Sequence, residues 1–125
     1  MKQLYIEGTK QNPNVILDKD RSIFEFSGQS LPENAREVYQ PIIKWLEDYA
    51  NEPNPTTNVI FKMKYFNTAS SKVIFELIKK LNKIHLSGSP VKINWHYKSD
   101  DEDMYETGKY YSDLVEMPFD FISYE

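Results

Sequence analysis

Apolar and polar residues alternate over the first thirty positions in the way that short strands require. In "SIFEFSG", Phe24 and Phe26 alternate with Ile23, Glu25 and Ser27, a period of two residues that predicts a strand with one buried face. "QLYIEGT" and "NVILD" are shorter runs of the same kind, and turn residues separate all three. The N-terminal part of the chain therefore predicts a meander of three strands.

A helical spacing of apolar residues follows the third strand. Ser30 and Glu33 have the spacing of a capping box, and Pro32 falls in the predicted first turn. Pro41 lies too deep to belong to a cap, and it predicts a kink or a division of the helix into two. The apolar stripe consists of Ala35, Val38, Tyr39, Ile42, Ile43, Leu46 and Tyr49.

Strands and helices alternate in the next part of the chain. "NVIFKMKYF" predicts a central strand, and "VKINWHY" predicts another. Between them, the helical spacing over residues 69–84 predicts a second helix, which "SGSP" ends. The apolar residues of this helix are Val73, Ile74, Leu77, Ile78, Leu81 and Ile84.

The C-terminal part predicts a third helix and a last strand. Ser99 and Glu102 have the spacing of a second capping box, and Gly108 weakens the middle of the helix. "MPFDFISYE" predicts an edge strand near the end of the chain. The apolar residues assigned to this helix are Met104, Tyr105, Tyr111, Leu114 and Val115.

The predicted elements have the order βββ-α-β-α-β-α-β. Strands that alternate with helices require crossover connections, so the sheet is expected to be mixed, in an α/β (α+β) fold with helices packed on the sheet. A chain of 125 residues with 40% hydrophobic residues has the size and composition of one folded domain, residues 1–125.

Composition excludes several kinds of chemistry. The chain has no cysteine and only two histidines, His85 and His96, so disulfides, thiolate sites and histidine-rich metal sites are excluded. No apolar run is long enough to span a membrane, and the N-terminus lacks the apolar stretch of a signal peptide. A cytoplasmic protein without membrane insertion is therefore expected.

Charge is distributed unevenly along the chain. The net charge is −4, yet residues 99–125 carry nine acids against one base, Lys109. The second predicted helix is basic, with Lys72, Lys79, Lys80 and Lys83 against Glu76. This polarity favours protein partners, and an acidic chain disfavours nucleic acid. The acidic helix over residues 99–116 frames either the same partner surface or a second one.

No motif for catalysis or cofactor binding is present. The sequence has no GxGxxG, no phosphate-binding loop and no GxSxG elbow, so no cofactor is expected. The acids of residues 100–103 leave open a weak alternative, an enzyme that uses a calcium or magnesium ion. Because they lack the DxDxDG pattern with its turn glycine, a well-capped helix start is the preferred interpretation.

The junction "YFNTASSK" has more hydroxyl groups than helix capping needs. Asn67 or Thr68 is expected to cap the second helix, with Ser70 and Ser71 in its first turn. A helix N-terminus offers unpaired N–H groups and partial positive charge, so a phosphate attached there would be accommodated, with Lys72 close by. The same physics allows an alternative, a small-ligand or nucleotide-binding sheet domain with a free anion at residues 67–72.

Three segments resemble the SiaC family of bacterial regulatory phosphoproteins. They are "FEFSGQSLPENAREVYQPIIKWLEDY", "FKMKYFNTASSKVIFELIKKL" and "DDEDMYETGKYYSDLVEMPFDFI". The resemblance extends from about residue 5 to residue 123, and its most specific parts are "SLPENA", "YFNTASSK" and "DEDMYETG". It implies a single STAS-like domain, similar to anti-sigma-factor antagonists, and a protein that is not an enzyme.

The resemblance also implies a switch at the junction. It implies that Thr68 is phosphorylated by a dedicated serine/threonine protein kinase and dephosphorylated by a PP2C-type phosphatase. The unphosphorylated form would bind and activate a diguanylate cyclase, which raises cyclic di-GMP and favours biofilm formation. Ala69 stands where the family often has serine. The residues expected around the phosphate and at the partner are Asn67, Ala69, Ser70, Ser71 and Lys72.

Overall fold

A six-stranded mixed sheet forms the centre of the fold, which a computed structural model describes for residues 1–125. The strands lie side by side in chain order. They are β1 (Leu4–Ile6), β2 (Asn14–Asp18), β3 (Ile23–Ser30), β4 (Thr57–Phe66), β5 (Val91–Lys98) and β6 (Phe119–Tyr124). The helices are α1 (Ala35–Tyr49), α2 (Thr68–Leu86) and α3 (Glu102–Asp113). The predicted order βββ-α-β-α-β-α-β is confirmed.

The direction of the strands explains where the helices lie. β1, β2 and β3 are antiparallel, as a meander requires, whereas β3 to β6 run parallel to one another. Each parallel pair is joined through one helix, and each crossover steps in the same direction along the sheet. Because such crossovers have one favoured hand, all three helices are placed on the same face.

The core fills the space between this face of the sheet and the helices. Every second residue of the central strands is buried there, and the opposite face carries exposed or half-buried side chains such as Glu25, Lys62 and Asn94. Trp95 on β5 is 1% exposed and lies among Phe61, Phe66 and Tyr111. The sheet side chains in the core include Val15, Leu17, Phe24, Phe26, Val59, Phe61, Met63, Val91, Ile93 and Trp95.

The start of α1 differs from the prediction. Its cap is Asn34, whose Oδ1 accepts a hydrogen bond from the N–H of Glu37 at 3.2 Å. The capping box from Ser30 is wrong, because Ser30 is the last residue of β3 and is buried opposite Phe66 of β4. Pro32 therefore precedes the helix. Burial of the Ser30 hydroxyl in the core prevails over the local capping pattern.

α3, like α1, begins later in the sequence than predicted. The cap is Asp101, whose carboxylate accepts a hydrogen bond from the N–H of Met104 at 3.0 Å. The predicted cap Ser99 instead bonds through its N–H to the carbonyl of Tyr124, at the end of β6. The helix ends at Asp113, so Val115 lies beyond it.

Pro41 does not divide α1. The helix is continuous from Ala35 to Tyr49, with Pro41 inside it, so of the two predicted outcomes, a kink or a division into two helices, the division is wrong. Pro41 is exposed, and so is Glu37, whose carbonyl loses its usual hydrogen-bond donor. Water can satisfy that carbonyl, which explains why the helix tolerates the proline. None of the helices is both long enough and apolar enough to cross a lipid bilayer.

Candidate functional site

The junction between β4 and α2 is built around Asn67. Its Oδ1 accepts a hydrogen bond from the N–H of Ser70 at 2.9 Å, and its carbonyl accepts one from the N–H of Ser71. Asn67 is thus the cap of α2, which settles the choice between Asn67 and Thr68. Thr68 is the first helical residue and is exposed, as is Ala69. Their N–H groups have no acceptor within the helix because they precede its first full turn.

A chain of buried hydroxyl groups lies directly beneath this junction. Ser30 Oγ and Ser70 Oγ are 2.8 Å apart, and the Tyr39 hydroxyl donates to Ser30 Oγ at 2.7 Å. Ser30 and Ser70 are both 0% exposed. Burial raises the pKa of Tyr39 to about 12. Ser70 therefore ties α2 to the core, and its side chain is not placed to contact a partner as the sequence suggested.

Replacing Ser30 with alanine should destabilise the fold, because it breaks the row of buried, hydrogen-bonded hydroxyl groups. The hydroxyls of Ser70 and Tyr39 would lose a buried partner, and we expect the free energy of unfolding to fall by about 1–3 kcal/mol. Denaturation by urea would measure it. The double variant Ser30→Ala/Tyr39→Phe removes one orphaned hydroxyl, so it should recover part of the loss. Full additivity of the two single variants would show that the hydroxyls are not coupled.

An open depression of about 640 Å³ adjoins Thr68. Its walls come from the first turns of α2 and from one side of α3, and residues at the end of β4 complete its lining. The acidic helix therefore frames the same surface as Thr68. The lining residues are Tyr65, Phe66, Asn67, Thr68, Ser71, Lys72, Phe75, Asp103, Glu106, Thr107, Tyr110 and Tyr111.

Tyr111 fixes α3 against α2. Its hydroxyl donates to the carbonyl of Ser71 at 2.9 Å, and its ring stacks on Phe75 with centroids 5.5 Å apart. The indole N–H of Trp95 donates to the carbonyl of Met104 at 3.0 Å and holds the other end of α3 on the sheet. Burial raises the pKa of Tyr111 to about 12. The α3 wall of the depression is therefore held in place.

The charges in the depression are two carboxylates, Asp103 and Glu106, and one ammonium group, that of Lys72. The four salt bridges of the protein are Arg21–Asp18, Arg36–Glu76, Lys80–Glu47 and Lys92–Asp120, so none of the three groups is paired. The structure has no group of three or more histidine, aspartate or glutamate side chains able to hold a metal ion. Asp101, from the acidic run, serves as the α3 cap.

The aromatic lining was not anticipated from the sequence. Tyr65, Phe75 and Tyr110 lie on three different elements, and each belongs to a pattern that predicts only a strand or helix. Tyr65 and Tyr110 are 55% and 63% exposed, which is high for such large side chains. The position of Tyr65 just before "FNTASSK" was the one available signal, because a residue that ends a strand lies beside the helix that follows.

Nearly the whole chain matches one known protein family. A model of the SiaC family of regulatory phosphoproteins matches residues 6–124. The chain belongs to the SiaC family. An uncharacterized protein of Pseudomonas aeruginosa is 28% identical to it over 119 residues, which cover 95% of this chain and 94% of that protein.

Solved structures of SiaC from Pseudomonas aeruginosa have the same fold. One is 26% identical, with a TM-score of 0.89, covering 99% of this chain and 100% of that one. Apo-SiaC is 27% identical with the same TM-score, covering 98% of this chain and 99% of that one. In a third, SiaC is in complex with the diguanylate cyclase SiaD, which it activates; the match is 26% identical, with a TM-score of 0.89, covering 97% of this chain and 99% of that one. The predicted mixed α/β fold is confirmed.

Proposed function

We propose that this protein is a non-enzymatic partner-switching regulator controlled by reversible phosphorylation of Thr68. A serine/threonine protein kinase would add the phosphate in the cytoplasm, and a PP2C-type phosphatase would remove it. The unphosphorylated form would bind and activate a diguanylate cyclase and so raise cyclic di-GMP and favour biofilm formation. The observation that carries the proposal is the position of Thr68, exposed at the start of α2 beside an aromatic depression.

Accessibility distinguishes Thr68 from the other hydroxyl groups of the junction. Ser70 is 0% exposed and bonded to Ser30, so a kinase could reach it only if the helix start unfolded. Ser71 is half-buried and donates to the carbonyl of Thr68 at 2.8 Å. Thr68 is exposed and its hydroxyl is not engaged in capping, because Asn67 performs that role. It is the hydroxyl best suited to accept a phosphate.

The helix terminus would accommodate the modification without loss of structure. The unpaired N–H groups at the start of α2 and the partial positive charge of the helix both favour an anion. Lys72, one turn further along, supplies a nearby positive charge. A phosphothreonine carries roughly −1.5 to −2 charges near neutral pH. The modification would therefore change the surface and leave the fold intact.

The cyclase as partner is inferred from the family. SiaC of Pseudomonas aeruginosa, whose fold this chain shares, activates the diguanylate cyclase SiaD in a complex of the two. The exposed rings of Tyr65 and Tyr110 beside Thr68 give this chain a surface of the composition found at protein interfaces. A phosphate there would add a hydrated group that an interface cannot bury without a large desolvation cost.

An affinity pull-down tests the proposal. Wild type, Thr68→Ala and Thr68→Asp would each be captured from the source cell, and mass spectrometry would identify partners and phosphosites. We expect Thr68→Ala to capture a diguanylate cyclase, Thr68→Asp to lose it, and wild type to carry phosphate at Thr68. Equal capture of the cyclase by both variants would contradict the switch. Thr56→Ala, at an exposed threonine outside the depression, controls for loss of a threonine and should capture the cyclase as the wild type does.

The alternative of a free-anion or nucleotide site has less support from the geometry. The start of α2 offers N–H donors, but Asp103 and Glu106 line the same depression against one lysine. Two carboxylates disfavour a free phosphate ester through like-charge repulsion. Strong thermal stabilisation by one nucleotide, without modification by a kinase, would favour this alternative.

A further inference from the structure

We propose that the depression between α2 and α3 binds one arginine side chain of the partner, flanked by apolar residues. The inference rests on the proposed function, because it concerns the partner of the same surface. It follows from three properties of the depression: its unpaired carboxylates, its exposed aromatic rings and its net charge.

The unpaired carboxylates of the depression indicate that the partner supplies a positively charged group. Asp103 and Glu106 line the α3 wall, and neither takes part in a salt bridge. Lys72 on the opposite wall is unpaired as well. With two negative charges and one positive charge, the depression has a net charge of −1. A single cation from the partner brings it to neutrality, so charge complementarity selects one basic side chain.

The aromatic rings distinguish arginine from lysine. Tyr65 and Tyr110 line the depression and expose more than half of their surface. A guanidinium group stacks on aromatic faces and pairs with carboxylates through a planar set of donors, whereas an ammonium group is more strongly hydrated. Phe75 is already covered by the stacked ring of Tyr111 and by Lys79, whose ammonium group lies 5.1 Å from its centroid, so the rings free to stack on a guanidinium group are those of Tyr65 and Tyr110.

The same charge count explains how a phosphate would act on a basic partner. Once one arginine and Lys72 balance the two carboxylates, a phosphate on Thr68 has no further counter-charge. It would leave roughly 1.5 to 2 negative charges unpaired inside a closed interface. The partner's arginine cannot offset this desolvation cost by pairing with the phosphate, because Asp103 and Glu106 compete for the same guanidinium group.

Short peptides test the charge preference without the full partner. The probes are acetyl-Phe-Arg-Leu-amide and the same peptide with citrulline, which keeps the shape of arginine and removes its charge. Each would be titrated to about 10 mM into the ¹⁵N-labelled protein, a range suited to millimolar dissociation constants. We expect amide shifts at Tyr65, Thr68 and Tyr110. The arginine peptide should bind about fivefold more tightly, given two partly exposed charge pairs.

Matched variants assign the preference to the depression. Asp103→Asn/Glu106→Gln should abolish the preference for arginine over citrulline. Glu102→Gln/Asp113→Asn makes the same charge change on α3 outside the depression and should retain it. Near-ultraviolet circular dichroism would check that both variants fold. Equal binding of the two peptides, shifts confined to another surface, or no binding at all would overturn the inference.

The outcomes separate this inference from the proposed function. Suppose that the preference for arginine is absent, while Thr68→Ala still captures the cyclase and Thr68→Asp does not. Then the phosphorylation switch is supported, and the proposal that the depression binds arginine is wrong. If the preference is present but the two Thr68 variants capture the cyclase equally, arginine binding in the depression is supported and the phosphorylation switch is contradicted.

Discussion

Replacing Gly108 with alanine is expected to lower the free energy of unfolding by about 1–3 kcal/mol, although alanine is the better helix former. A Cβ atom on Gly108 would lie 2.5 Å from Nε1 and 2.6 Å from Cδ1 of Trp95. Trp95 is 1% exposed and its indole N–H is bonded to the carbonyl of Met104. The ring therefore cannot yield without breaking that bond or lifting α3 from the sheet.

The balance of two effects gives this prediction its direction. In an exposed helix, glycine to alanine gains about 1 kcal/mol in helix propensity, so a stable or stabilised variant would show that the ring can move. Ser112→Ala is the matched control, because it lies on the same helix away from Trp95 and should change stability by less than about 0.5 kcal/mol. Urea denaturation followed by tryptophan fluorescence would measure both.

Gly108 also has a consequence for the candidate site. α3 supplies one wall of the depression, and its position depends on the close approach of Gly108 to Trp95. A displaced α3 would move Asp103, Glu106 and Tyr110 relative to Thr68. We therefore expect Gly108→Ala to weaken partner binding, although Gly108 itself does not line the depression.

The sequence predicted the elements well because their periodicity is local. The apolar residues at helical spacing in α2, and the alternation in β3, record which face meets the core. The predicted junction at residues 67–71 was correct because a strand followed by a cap residue is a local signal. The interpretation of Gly108 as a weak point in a helix was incomplete, because its reason lies in Trp95 on another element.

The cap predictions failed for a related reason. The residues Ser30 and Ser99 fit the local capping pattern, but Ser30 ends the inner strand β3 and Ser99 directly follows the inner strand β5, and there strand pairing takes precedence. Ser30 in particular is drawn into the core by Ser70 and Tyr39, which lie 40 and 9 residues away. A pattern of four residues contains no information about such distant partners. The same limit hid the depression, whose walls come from separate helices.

Phosphorylation of Thr68 is expected to weaken binding to the diguanylate cyclase by at least about 100-fold, or roughly 2.7 kcal/mol. The phosphate would lie inside the proposed interface, next to Asp103 and Glu106. To bury it there requires removal of water from a group with roughly 1.5 to 2 negative charges and no free cation beside it except Lys72. Such uncompensated burial costs several kcal/mol.

The fold should be unaffected by the same modification. An anion at a helix N-terminus contributes about 0.3–1 kcal/mol of stability, which offsets repulsion from Asp103 and Glu106, so the phosphorylated protein should unfold within a few degrees of the unmodified protein. This result separates a blocked interface from a damaged protein. Ser70, in contrast, could not carry a phosphate without breaking the buried contact with Ser30.

The decisive measurement compares three forms of one preparation. Stoichiometrically phosphorylated protein, the same sample after PP2C treatment, and Thr68→Ala would be titrated against the cyclase, with calorimetry for affinity and cyclic di-GMP production for activity. Dephosphorylation should restore both readouts to the level of Thr68→Ala. Lost binding together with a lowered unfolding temperature would instead place the effect in the fold, since the helix start would then be disrupted by the phosphate. Unchanged affinity would contradict the switch itself, because the phosphate would then lie outside the interface.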